Sequence, residues 1–255
     1  MAGSASSPED RHEICTAWAK EKGVKVNGVE PVKIADSGVG IVAQRKIEAG
    51  EVLVHVPVTA LLTINSVPAP FRILHEGISV HGLLASFLAF GGDERAQYAA
   101  WENSWPSLRE LQESMPLLWP DMLNEPLDSY GDANLLVNRK AEPAFVLPPT
   151  IGGKWCRIRE YFDRQDAGLL YRQKQKLKLD WAVVSKVFVD RSLLHYTYYW
   201  LIVNTRSFYF DALGGHIPDC HDDRMVMCPF VDYFNHKDHG VSPHPDNQHM
   251  EASAE

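Results

Sequence analysis

The stretch Cys228-Pro229-Phe230-Val231-Asp232-Tyr233-Phe234-Asn235-His236 ends an apolar run in an amide and an imidazole. Both side chains donate and accept hydrogen bonds. The pattern reads as a buried strand with polar tips, which are costly unless they meet a partner, as they do at a binding site. Asn204-Thr205-Arg206-Ser207 sets a guanidinium inside an aromatic run. That group must pair or reach a surface. A structural salt bridge and a contact to an anion or carboxylate are both open. Ser37-Gly38-Val39-Gly40-Ile41 carries glycines at i, i+2 between two Val/Ile runs. Such a turn can bring backbone N–H and C=O groups close to a ligand; a plain β-turn or bulge is the alternative. It is not a dinucleotide fingerprint, because the third glycine is missing and a strand, not a helix, follows.

His216, Cys220, His221, Cys228, His236, His239, His244 and His249 crowd one end of the sequence, and His236 and His239 could share a helical face. Without a CxxC pair or an HExxH run, no metal site is expected. There is no G-x-S-x-G, P-loop or EF-hand loop, so hydrolase, nucleoside-triphosphatase and calcium-binding functions lack support.

The elements that must position these groups follow from local pattern. Residues 1–10 are small and polar and are expected to be disordered. Residues 11–22 form a short amphipathic helix through Ile14, Cys15, Ala17 and Trp18, stopped near Gly23. Val/Ile-rich strands are expected near 31–34, 39–43 and 52–56. Residues 80–190 are helical in texture. VHGLLASFLAFGG is an apolar helix ended by Gly91-Gly92. Trp101 and Trp105 are spaced i, i+4, as on one helix face. A long amphipathic helix covers YFDRQDAGLLYRQKQKLKLDWAVVSKVF, its basic run from Arg172 to Lys178 a solvated face. Residues 191–213 form an aromatic helix or helix–strand junction, and 241–255 an irregular tail.

Composition sets outer bounds. The chain has 255 residues, 45% hydrophobic and 23% charged, with seven Trp and ten Phe, enough for a substantial core. Its formal charge of −8 argues against broad phosphate-backbone binding and so against nucleic acid as partner. Cys15, Cys156, Cys220 and Cys228 are irregularly spaced and read as reduced thiols. With no leader-like apolar segment and no long apolar run, an intracellular protein, cytoplasmic or nuclear and not membrane-spanning, is expected.

Taken in order, these motifs resemble SET-domain protein methyltransferases of the Rubisco large-subunit methyltransferase-like class. SGVGIVAQRKIEAGEVLVHVPVTALLT is similar to that family's first SET segment. LLASFLAFGG, YAAWENSWPS and LLWPDML look like its helical insertion, and LLYRQKQKLKLDWAVVSKVF with YYWLIVNTRSF like the return to the SET core. CPFVDYFNH is similar to its Asp-x-x-Asn-His signature.

The resemblance implies an α+β fold of small SET-type sheets with a large helical insertion. Its segments would be 11–79, 80–190 and 191–240. It implies S-adenosyl-L-methionine as cofactor, no metal, and methyl transfer to a protein side chain, lysine favoured over histidine. Ser37, Gly38, Val39 and Gly40 would meet the cofactor, largely through backbone. Arg206 would lie near its carboxylate, and Asp232, Asn235 and His236 would complete the pocket. The family's Tyr-Gly segment, which carries the tyrosine of the transfer point, has no counterpart after His236; the last tyrosine is Tyr233. Ser129-Tyr130-Gly131 is similar only superficially, lying in the insertion. The resemblance therefore implies a C-terminally truncated SET core with no identifiable catalytic residue, weak or no cofactor binding, no turnover, and unpaired strand edges. A SET-derived interaction module without catalysis is the alternative function.

Overall fold

The computed structural model describes residues 8–34, 38–118, 169–210, 224–235, 244–245 and 249–253. Helix α1 (Pro8–Glu21) begins within the segment expected to be disordered and is followed by Gly23, whose φ of 91° suits glycine. His12, Cys15 and Ala19 form its buried face, while Ile14 and Ala17 are exposed. The stripe expected through Ile14 and Ala17 is therefore rotated, because His12 finds a buried hydrogen-bond partner and can face inward.

Strands β1 (Lys25–Val26), β2 (Val29–Ile34), β3 (Gly38–Ala43) and β4 (Val52–Pro57) follow; β2, β3 and β4 lie close to the expected positions, and β1 has no counterpart among them. β2 and β3 form an antiparallel hairpin in which Val32 opposes Gly40 and Ile34 opposes Gly38. Next come α2 (Ala69–Arg72), α3 (Val80–Phe90), α4 (Ala99–Glu102) and α5 (Leu108–Ser114). Gly91 caps α3 and Gly92 turns the chain away with φ of 55°. α4 stops at Glu102, so Trp101 and Trp105 do not share one helix face. They still meet edge to face, with ring centroids 5.4 Å apart, through the turn between them.

Further along the sequence come α6 (Leu169–Val187) and α7 (Leu193–Arg206). α7 passes directly into β5 (Ser207–Tyr209), which pairs with β6 (Met225–Met227). Leu62 exchanges two backbone hydrogen bonds with Met227, each 3.0 Å. β7 (His244–Pro245) and β8 (His249–Ser253) lie in the segment expected to be irregular. They complete a four-stranded antiparallel sheet in the order β1, β4, β8, β7. Met250 and Ala252 are buried while His55 Nδ1 meets Glu251 Oε1 at 3.2 Å. This period-two pattern is too short to stand out in sequence. It also pairs β4 on both sides, with β1 and β8.

The chain divides into two units, residues 1–105 with 180–255, and residues 106–179. In the second, Ser107 and Glu110 build a capping box on α5. In the first, α3 packs on α7. Leu83, Leu84, Phe87 and Leu88 of α3 and Tyr196, Trp200, Leu201 and Ile202 of α7 are all nearly fully buried. This core fixes α7, and through it Arg206 at the α7–β5 junction. Among the described residues no helix is long and apolar enough to cross a membrane.

Candidate functional site

The Cys228–Asn235 segment is not the strand its sequence suggests. β6 ends at Met227, and Val231–Tyr233 is a single 3-10 turn. Phe230 breaks the strand: its φ of 69° is left-handed and its side chain is fully buried. A bulky residue in that region costs on the order of 1–3 kcal/mol and persists only where the surroundings fix it. Three backbone bonds close the turn, Asp232 N–H to Cys228 O, Tyr233 N–H to Phe230 O and Phe234 N–H to Val231 O, at 3.3, 3.2 and 3.0 Å.

Asn235 leaves this turn beside the glycine strand. A Cβ on Gly40 would lie 2.8 Å from Asn235 Nδ2 and 2.9 Å from Ile34 Cδ1. Gly40 is thus glycine because a side-chain amide occupies the space its own side chain would need. Gly38, with φ of 80°, is glycine for backbone reasons and has open space around it. Alternation puts Val32, Ile34 and Val42 on the same face as Gly38 and Gly40. All three remain more than a third exposed, so Asn235 arrives at an open, apolar face.

Asp232 and Arg206 lie behind this face. The Asp232 side chain is 2% exposed. Its Oδ2 accepts from Trp101 Nε1 at 3.0 Å and from Arg206 Nη1 at 3.4 Å; the same Nη1 donates to the Asp232 carbonyl at 3.0 Å. Arg206 therefore does make the structural salt bridge left open by the sequence. The pair is incompletely satisfied, however: Asp232 Oδ1 and Arg206 Nε are buried and find no hydrogen-bond partner among the described residues. Burial raises the Asp232 carboxyl above its ordinary range, with Arg206 opposing the shift.

Behind the turn, Tyr233 points into α1. His12 Nδ1 lies 3.0 Å from Tyr233 Oη, and the two rings meet edge to face. The hydroxyl also meets Cys15 and Ser104. Burial lowers the His12 pKa, with Arg11 and Arg206 adding to the effect, and pushes the Cys15 thiol up to about 11. Burial raises Tyr233 as well. Neither Cys15 nor Tyr233 is poised to ionise near neutral pH, and Tyr233 is aimed away from the glycine strand.

The structure thus brings together Gly38, Val39, Gly40, Arg206, Asp232 and Asn235. Ser37 and His236 lie outside the described residues, as do Cys156, Cys220, His216, His221, His239 and Ser129-Tyr130-Gly131. Cys15 and Cys228 are buried free thiols. Among the described residues there is no group of three metal-ligating side chains. Trp101 and His12 are the contributors that motif spacing does not expose; an indole N–H and an imidazole on buried helix faces resemble core residues until their partners are seen.

The architecture, small antiparallel sheets interrupted by a large helical insertion, is that of a SET domain. No family model and no curated protein matches the chain by sequence. Solved structures do match it. The SET domain of LSMT bound to lysine and AdoHcy superposes with a TM-score of 0.58 at 15% identity, over 97% of this chain and 51% of that one. Rubisco LSMT bound to AdoMet gives 0.55 at 16% identity, over 96% and 50%. The same protein bound to sinefungin and monomethyllysine gives 0.56 at 15% identity, over 98% and 50%. The chain spans about half the length of the solved structures it matches. At this identity the likeness defines the fold.

Proposed function

We propose that this chain carries the methyl-donor site of an S-adenosyl-L-methionine-dependent protein-lysine N-methyltransferase. The convergence of Asn235 on the Gly40 backbone, with the Arg206–Asp232 pair at the base of the same turn, carries this reading. The neighbours in fold hold AdoMet, AdoHcy or sinefungin, two of them together with lysine or monomethyllysine, which supports the cofactor and the substrate class.

The residues suit such a donor. Among the described residues Arg206 Nε is a buried donor without an acceptor, and a carboxylate would satisfy it with a charge-assisted bond. Among the same residues Asp232 Oδ1 is a buried acceptor without a donor, suited to an ammonium or another N–H. The bare Gly38-Val39-Gly40 backbone admits a ligand close to its N–H and C=O groups. Val32, Ile34 and Val42 offer apolar cover for a flat ring. Asn235 supplies an amide that can read a polar edge. Ser37 and His236 flank these groups in sequence and join the proposed set on that ground.

The bound donor would supply an electrophilic methyl group to a neutral amine. The protein's part is to hold, orient and desolvate. A lysine nucleophile must arrive neutral, and burial lowers its pKa in that direction. A specific observation favours a second reading, a SET-derived interaction module without catalysis. Tyr233, the tyrosine of the signature turn, has its hydroxyl engaged with His12 of α1.

Saturation-transfer difference NMR with S-adenosylmethionine detects weak binding and separates donor site from none. Transfer to the ligand in the wild type, lost in folded Arg206→Ala and Asn235→Ala, is the expected result. A folded wild type without transfer above an ATP control would remove the donor site. Assay of tritiated methyl transfer to lysine peptides then separates enzyme from module.

A further inference from the structure

The turn that brings Asn235 beside Gly40 contains the left-handed Phe230, and side chains from the opposite end of the sequence pack on it. Tyr233 is the one turn residue whose polar atom is directed into α1. Arg11 Nε donates to His12 Nε2 at 3.2 Å, so the imidazole proton sits on Nδ1 and is donated to Tyr233 Oη. His12 is 8% exposed and Tyr233 5%, so neither can exchange this bond for water. The Tyr233 ring packs edge to face against both His12 and Phe230, the strained residue. α1 is seated on the same site from a second side. Trp18 stacks on Trp101, and Trp101 donates to Asp232 in the same turn. Two α1 side chains thus lead to adjacent residues of the turn, His12 directly to Tyr233 and Trp18 through Trp101 to Asp232.

We propose that His12 and Tyr233 are positioning residues, through which α1 holds the Phe230–Asn235 turn so that the Asn235 amide lies against Gly40. The inference rests on the methyl-donor reading of Asn235 for its functional meaning, and on the geometry alone for the clamp. Tyr233→Phe leaves the His12 N–H buried without an acceptor. His12→Phe removes the imidazole donor and leaves the Tyr233 hydroxyl only Cys15 and Ser104 as neighbours. His12→Asn places an amide N–H near the former Nδ1 and restores the bond without the ring.

Hydrogen exchange on the full chain decides the clamp. The amides of Asp232, Tyr233 and Phe234, each bonded within the turn, report on it; those of α7 report on global stability. Exchange of the turn amides should rise roughly tenfold in Tyr233→Phe, the effect of one unsatisfied buried group, and by a smaller factor in His12→Phe. α7 should be unchanged, and His12→Asn should return toward wild type. Equal acceleration in the turn and in α7, or none in either, would overturn the clamp. Donor transfer in the NMR experiment should weaken in the same two variants and recover in His12→Asn. Undiminished transfer despite a loosened turn would overturn the positioning role. A wild type without transfer would instead remove the donor reading, and the exchange data would still decide whether α1 holds the turn.

Discussion

Asp180 and Asp232 are both buried carboxylates that accept an indole N–H, and they end differently. Asp180 accepts from Ser79 N at 2.9 Å, Ser79 Oγ at 2.8 Å and Trp200 Nε1 at 2.8 Å. Ser79 in turn caps α3 by accepting from Gly82 N, and Gly82 has no side chain because Asp180 lies where its Cβ would go. That network is closed and ties α3, α6 and α7 together. Asp232 has a tryptophan and an arginine, yet one carboxylate oxygen and one guanidinium nitrogen find no partner among the described residues, beside a turn strained at Phe230. A satisfied buried network rigidifies; an unsatisfied one at an open face is what a ligand can complete.

The largest expected effect lies on the satisfied side. Asp180→Ala strands the buried Trp200 indole N–H and two half-buried Ser79 donors and should cost about 3 kcal/mol. Urea unfolding reads this directly, and a loss under 1 kcal/mol would break the contrast. Gly40→Ala comes next. Its Cβ would press on Asn235 and Ile34, for about 1–3 kcal/mol of overpacking. Donor transfer in NMR should disappear as well, whereas Gly38→Ala, strained in φ but with open space, should retain part of it.

Smaller effects come from titration. The His12 pKa is lowered in the fold, so the unfolded chain takes up the proton first. Stability is then lost as pH falls below about 6.5, down to the folded value. His12→Asn should lack that loss, and denaturation midpoints from pH 7.5 to 5 compare the two. Asp232 has the opposite sign: its pKa is raised, so stability declines as pH rises from about 3.9 through the folded value. Asp232→Asn should flatten that limb. The smallest change is Arg109→Ala, which removes an exposed i, i+4 pair with Glu113 and should stay within about 0.5 kcal/mol.

How much of this was legible depends on range. The Val/Ile strands, the α3 helix with its glycine stop and the α7–β5 junction follow from local periodicity and turn chemistry. The Gly38–Gly40, Arg206 and Asn235 set was visible as residue types in the wrong context for a core. The break at Phe230 was not visible, since an apolar run reads as strand unless tertiary packing forces a left-handed residue into it. His12 and Trp101 were hidden for a related reason: an amphipathic helix face shows which side is buried, not which buried atom finds a partner. β8 was missed because five residues of alternation carry little signal without β4 beside them.

The contrast between the two aspartates reduces to one experiment: the shift in melting temperature caused by saturating sinefungin, measured within wild type, Asp180→Asn and Asp232→Asn. A ligand that binds only the folded state raises the midpoint by mass action. Wild type and Asp180→Asn should both show the ligand-induced rise, whatever their starting midpoints, and Asp232→Asn should show none. Equal rises in all three, or a rise lost in Asp180→Asn and kept in Asp232→Asn, would contradict the assignment of the unsatisfied pair as the donor site.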